Sequence, residues 1–162
     1  ARIPVVVDFH LTSLRLSLRA LRSLGQGAVL LLDALDPHGR VGEKRIFNYD
    51  FTVENCTVTH TFEFTDEIDA PDADSVLRAG DNDSSSRQDL GLMPVVVEVV
   101  LCRSNRHLQD LAELQPGAVF ELPVDAWQSL ELRVNGARIA TGELVQVGER
   151  LGVQILKRLA IA

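Results

Sequence analysis

Histidines, cysteines and paired carboxylates are the side chains through which this 162-residue chain could do acid–base, nucleophilic or metal chemistry. Their spacing does not assemble a site. His10, His38, His60 and His107 fall on segments read as strand, turn, strand and helix start, and no His-x-x-x-His or Cys-His spacing supplies the ligand set that zinc takes. They are expected to be surface or structural. Cys56 and Cys102 lie far apart with no CxxC pair, so they form neither a metal knuckle nor a disulfide framework and are expected to be reduced thiols. Asp8 and Glu98 could form a general acid/base pair, but exposure at a strand edge or a salt bridge to Arg or Lys is the preferred reading. Gly25-Gln26-Gly27 runs from a helix-like stretch into a strand, the reverse of the order that turns amides onto a phosphate, and reads as a turn. Asp81-Asn82-Asp83 lacks the Gly and Glu of a calcium loop, with Ser86 and Leu92 in their places. The triplets at Asn55 and Asn82 match glycosylation acceptors only formally. Trp127, the only Trp, is expected to cap the core. No catalytic residue, metal or cofactor is expected.

Composition narrows the class further. The chain is 46% hydrophobic with a net charge of -7. That charge would repel a phosphate backbone, so nucleic acid is not an expected partner. No apolar run approaches the ~20 residues of a membrane span, and the N-terminus lacks the order of a signal peptide. A soluble, cytosolic protein without membrane insertion is expected. A chain that opens on Ala1 rather than Met is expected to be a fragment or a processed product.

A shift of 90 residues superposes two stretches without a gap. Pro4-Val5-Val6-Val7-Asp8 falls on Pro94-Val95-Val96-Val97-Glu98. Leu11, Leu18, Leu21, Leu24 and Leu32 meet Leu101, Leu108, Leu111, Leu114 and Leu122, and Gly27-Ala28-Val29 meets Gly117-Ala118-Val119. The chain therefore reads as a duplication, with a divergent first domain over 1–65, a linker over 66–92 and a regular second domain over 93–162. Residues 66–89 hold eight acids against Arg78 and Arg87, with few apolar residues. Such a stretch cannot offset its ordering entropy by burial and reads as a flexible acidic linker. Its reach, roughly 25 to 30 Å, allows the two copies to pair.

Each copy opens on a β-branched run, 3–11 and 93–101, apolar at odd and even positions, which suits a strand covered on both faces. In the second copy, Leu108, Leu111, Ala112 and Gln115 follow helical spacing until Pro116-Gly117, predicting a helix over 107–114. Strands are expected over 118–124, 130–134, 137–147 and 151–156. Leu130-Glu131-Leu132-Arg133-Val134 should keep one face in solvent, Asn135-Gly136 should form a type I′ turn, and Gly142 is a plausible bulge. The first copy diverges after Leu32, with a turn at Asp36-Pro37-His38-Gly39 and strands at 44–53 and 56–65. The fold class is mainly β: two repeats, each of several strands and one short helix, packed as a pseudo-symmetric, β-barrel-like pair. Val5, Val7, Phe9, Leu11, Val95, Val97, Val99 and Leu101 are the expected inter-repeat core.

The second copy resembles the SpoA (surface presentation of antigens) domain. The resemblance is carried by Val95 to Leu101, Leu108-Gln109-Asp110-Leu111-Ala112-Glu113-Leu114-Gln115-Pro116-Gly117, Leu132-Arg133-Val134-Asn135-Gly136, Gly142-Glu143 and Arg150-Leu151-Gly152-Val153-Gln154-Ile155. That family includes flagellar motor switch proteins and type III secretion ring proteins of the YscQ/HrcQ/SpaO type. Two copies joined by an acidic linker are similar to the secretion branch, so the resemblance implies an intertwined β fold in which the two copies wrap around each other, serving as a non-enzymatic scaffold of the cytoplasmic ring, or sorting platform, at the inner face of the bacterial inner membrane. The alternatives are a flagellar switch subunit and, in another class, a small-ligand-binding or enzymatic β barrel.

The partners implied are the ATPase regulator (stator) protein, other ring and basal-body adaptors, and a second copy of the second repeat. In flagellar relatives the regulator docks on a valine-rich run after the Gly-Glu pair. The matching residues here are Leu144, Val145 and Val147, with Gln146 interrupting the run. Met93, the only methionine, stands just before the second copy, where an internal start would release that repeat alone to pair with itself; filling an apolar position is the competing reading.

Overall fold

The computed structural model describes residues 2–62 and 90–159. Most of the linker expected over 66–92, and the end of the first domain at 63–65, therefore lie outside the described residues. The last three linker residues, Leu90–Leu92, form a 3-10 turn.

Strand β1, Pro4–Ser17, opens the first repeat. It continues six residues past its expected end because Thr12-Ser13-Leu14-Arg15-Leu16-Ser17 alternates polar with apolar, a strand period rather than a helical one. The Ser17 Oγ then accepts a hydrogen bond from the Ala20 amide at 3.0 Å and starts helix α1, Leu18–Ser23. Strands β2 (Val29–Leu32), β3 (His38–Val41), β4 (Lys44–Phe51) and β5 (Asn55–Thr61) complete the repeat.

The second repeat runs through β6 (Pro94–His107), α2 (Leu108–Ala112), β7 (Val119–Glu121), β8 (Leu130–Val134), β9 (Ala137–Val147) and β10 (Arg150–Arg158). Helix α2 is shorter than expected at both ends: β6 claims His107, and the helix stops at Ala112 with Glu113 as its C-cap. His38-Gly39 opens β3 instead of making a turn, and the chain reverses at Gly42, whose φ is +62°. At the matching place in the second repeat, Asn135 and Gly136 have φ of 52° and 81°, as a type I′ turn requires.

Among the described residues, ten strands form one sheet in the order β2-β10-β9-β8-β6-β1-β3-β4-β5-β7. Reading outward from the central β6/β1 pair, the order is the same on both sides once each strand is exchanged for its equivalent, so the repeats are related by a pseudo-two-fold. The sheet is intertwined. β2 of the first repeat pairs with β10 of the second, and β7 of the second pairs with β5 of the first. No pairing joins β2 to β7 among the described residues, so the wrap is open rather than a closed barrel.

Backbone hydrogen bonds repeat the symmetry. The Leu18 amide donates to the Met93 carbonyl and the Leu108 amide to the Ile3 carbonyl, both at 2.8 Å. The Gly27 amide donates to Ile155 at 2.8 Å, while its equivalent Gly117 donates to Val58 at 2.7 Å.

β1 and β6 pair antiparallel along their whole length, from Pro4 opposite His107 to Ser17 opposite Pro94, with an irregularity around His10. Val7, Phe9, Leu11, Val97, Val99 and Leu101 are buried in one shared core, and Val5 and Val95 pack against it half-buried. Phe47 and Tyr49 of the first repeat and Phe120 of the second gather around Phe9, with Phe9 and Phe120 edge-on at 5.3 Å. Gly39 lies flat under the Phe47 ring, where a Cβ would collide with it. Trp127 covers Phe51 at 5.0 Å and donates from Nε1 to the Val53 carbonyl at 2.9 Å, capping the first repeat's core from the second.

Three expectations are corrected. The central strands are not apolar-covered on both faces: Val6 and Val96 are exposed, and the face away from the core is covered only near its middle, by arginines and His38. Arg133 is buried rather than solvent-facing. Gly142 is not the bulge. The register slips beside it, between Ile155 and Lys157 of β10, and a Cβ at Gly142 would meet Val153 Cγ1 at 2.6 Å and the Gln154 carbonyl at 2.7 Å.

Val97→Asp places an unpaired charge in this shared core and costs several kcal/mol (~4). The variant is expected to lose cooperative thermal unfolding by circular dichroism; an unchanged midpoint would contradict a core shared by the two repeats.

Candidate functional site

Two surfaces stand out, one at the seam between repeats and one at the outer face near β2. At the seam, Asp8 and Glu98 occupy equivalent positions on β1 and β6. Neither pairs with the arginine beside it in its own repeat. Arg40, opposite Asp8 in register, reaches across to Glu98 at 2.9 Å, and Arg133, opposite Glu98, reaches across to Asp8 at 3.0 Å. Arg103 adds a second contact to Asp8 at 2.9 Å, and Glu131 holds Arg133 at 2.6 Å. The two acids are thus salt-bridged to arginine, as preferred from the sequence. These pairs line a polar cleft of about 650 Å³ bounded by the two hairpin turns at Gly42 and Asn135-Gly136.

His10 and His38 stack beside the cleft with ring centroids 5.1 Å apart. The Arg40 Nε donates to His38 Nε2 at 2.8 Å, while His38 Nδ1 lies 2.6 Å from the Asp36 carbonyl and 2.7 Å from the Arg45 guanidinium. Burial pushes His10 down to about 3, assisted by the charge of Arg40; burial lowers His38 in the same way. Burial raises the Asp8 carboxyl, but its bonds to Arg133 and Arg103 outweigh this and hold it below the usual carboxylate range. Cys56 and Cys102 are free, with burial pushing their thiols up to about 12 and 11, far from reactive thiolates. Among the described residues, no three His, Cys, Asp or Glu side chains are placed to hold a metal ion.

The outer surface centres on the expected docking run. Alternation along β9 divides it: Leu144 turns inward and packs against the core, whereas Val145 is half-buried and Val147 is 46% exposed. Val145 is aligned with Gly152 of β10 and, through it, with Leu31 of the exchanged strand β2. Leu31 and Val29 are 41% and 42% exposed. Leu31, Val29, Val145 and Val147 therefore make one apolar patch drawn from both repeats, edged by Arg150, which pairs with Asp33. At the pseudo-symmetric place in the first repeat, the positions of Val145, Gly152 and Leu31 are taken by Thr52, Asn55 and Glu121.

The sequence reading missed Leu31, Val29 and the seam arginines. The apolar run Val29-Leu30-Leu31-Leu32, too uniform for a strand with one wet face, was the available signal for the first two. For the arginines there was none.

The unfolded chain takes up a proton on His10 below its ordinary 6.5, which the folded chain refuses down to about 3. Its contribution is therefore full above pH 6.5 and is lost as pH falls from 6.5 toward 3, with a slope of up to about 1.4 kcal/mol per pH unit. His10→Val should flatten the fall of the thermal midpoint between pH 7 and pH 4.5; an unchanged slope would contradict the burial of a neutral His10.

Comparison with known proteins places this geometry. Residues 88–160 match the family described as the type III flagellar switch regulator (C-ring) FliN C-term. The surface presentation of antigens protein SpaO of Salmonella typhimurium is 38% identical over 66 residues, covering 41% of this chain and 22% of the relative. The flagellar motor switch protein FliN of Caulobacter vibrioides is 38% identical over 61 residues, covering 38% of this chain and 56% of the relative, and that of Salmonella typhimurium 35% over 88 residues, covering 51% and 64%. The chain thus spans about a fifth of the SpaO relative and somewhat over half of these two FliN relatives. The second repeat, which the family model matches through residue 160, belongs to the SpoA-type FliN C-terminal family.

Proposed function

We propose that this protein is a non-enzymatic scaffold of the cytoplasmic ring, or sorting platform, of a bacterial type III protein secretion system, and that its outer patch docks the ATPase regulator (stator) protein. The observation that carries the reading is the contrast between two symmetry-related surfaces. Val145, Gly152 and Leu31 are apolar where Thr52, Asn55 and Glu121 are polar, and of the patch's core rows only Val29 is matched by an exposed apolar residue, Val119. Clustered exposed apolar residues on one of two otherwise equivalent faces point to a partner for that face. The flat Gly152 between two aliphatic rows suits an amphipathic segment laid across β9, β10 and β2. The second repeat also self-associates in this reading, using the strands that now hold the first.

Tandem repeats favour secretion over the flagellar switch as the setting. The matched stretch is a small share of SpaO, a long chain with room for a second repeat, and the larger share of FliN. A cytoplasmic place at the inner membrane follows from that role. Among the described residues no helix is long and apolar enough to cross a membrane.

Leu31→Asp and Val147→Asp, both at exposed positions, should each weaken binding of the regulator's N-terminal segment about ten-fold or more by calorimetric titration, while Thr52→Asp leaves it unchanged. Folded Leu31→Asp and Val147→Asp variants with wild-type affinity would contradict the docking site.

A further inference from the structure

At the middle of the seam the pseudo-two-fold passes through the pairing of His10 with Val100. Because β1 and β6 are related by the 90-residue shift, two second repeats pairing in the same way would set Val100 against Val100. Two first repeats would set His10 against His10. The chemistry of these two alternatives differs sharply.

In the present pairing His10 is 2% exposed, stacked on His38, and its Nδ1 has no hydrogen-bond partner. It is faced by Asp8 on its own strand, by Arg40 and His38 from β3, and by Arg133 from β8. Val100 beside it is buried and asks for nothing. A first–first pair would exchange Val100 for a second His10 and Arg133 for a second Arg40. Four imidazoles and two unpartnered Nδ1 atoms would then share a dry centre, and each unsatisfied buried group is strongly unfavourable. The same exchange would replace Phe120, stacked on Phe47 at 5.5 Å, by its equivalent Leu30 and loosen the aromatic cluster. A second–second pair meets neither difficulty. Glu98 would take the place of Asp8 against Arg133 and Arg103, keeping both cross-seam ion pairs.

We propose that His10 is the specificity residue that bars the first repeat from pairing with itself, restricting it to the second repeat while leaving the second free to pair with either. The inference rests on the self-association in the proposed function, and separate arms of one experiment test the two.

The full chain, carrying a protease site within residues 63–89, would be purified, cut and mixed with its isotope-labelled counterpart, and the exchanged pairs read by native mass spectrometry. Second–second pairs are expected in the wild type, and their absence would overturn the self-association on which the inference stands. First–first pairs are expected to be absent in the wild type and to appear with His10→Val. The reciprocal Val100→His should lower second–second pairs by about ten-fold or more, as the two unsatisfied buried imidazoles of such a pair predict. First–first pairs in the wild type as abundant as second–second pairs would overturn the proposal. So would second–second pairs undiminished by Val100→His, which decides the matter if His10→Val does not fold, or a His10→Val module that keeps its first–second pair yet never forms first–first pairs.

Discussion

Everything in this molecule depends on the antiparallel pairing of its two 14-residue strands, Pro4–Ser17 and Pro94–His107. Half of such a sheet cannot cover Val7, Phe9 and Leu11, so each repeat needs the other's Val97, Val99 and Leu101 to close a core. Each of these buried aliphatics contributes about 1.5 to 3 kcal/mol that neither copy could gain alone. The same pairing throws the following turn of each repeat onto the far side of its partner. β2 and β7 consequently end in the other repeat's half of the sheet, and the two copies cannot separate without unpairing the seam and both exchanged strands.

Polar groups follow the same crossed plan. Arg40 with Glu98 and Arg133 with Asp8 tie the repeats on the face opposite the core. Removing one member of the Asp8–Arg133 pair would strand a largely buried charge, which is strongly destabilising. The exchanged β2 has a functional consequence as well. It carries Leu31 and Val29 to the side of Val145 and Val147, so the apolar outer patch exists only when both repeats are present.

Much of this was legible in the sequence. The matched Pro-Val-Val-Val openings disclosed the duplication and the core strands, and Asn135-Gly136 disclosed its hairpin. The strand exchange was legible only through the family resemblance, because Gly27-Ala28-Val29 and Gly117-Ala118-Val119 are alike and local sequence cannot say which copy's last strand each will join. The inward turn of Leu144 was hidden by register slips at Leu132/Arg133 and Ile155/Lys157, which break a simple count of alternation. The seam ion pairs join residues 58 and 125 positions apart, beyond any motif.

Strand exchange is the central claim, and it makes opposite demands on two cysteine pairs. Val119 lies beside Thr57 in the exchanged arrangement, and would lie beside Gln154, the equivalent of Thr57, if each repeat kept its own strand. In a background of Cys56→Ala and Cys102→Ala, disulfide formation in the monomeric fraction can be mapped by peptide mass spectrometry. Thr57→Cys with Val119→Cys should oxidise rapidly within one chain, and Gln154→Cys with Val119→Cys should not. Rapid oxidation of the second pair with none in the first would contradict the intertwined fold and the composite surface built on it.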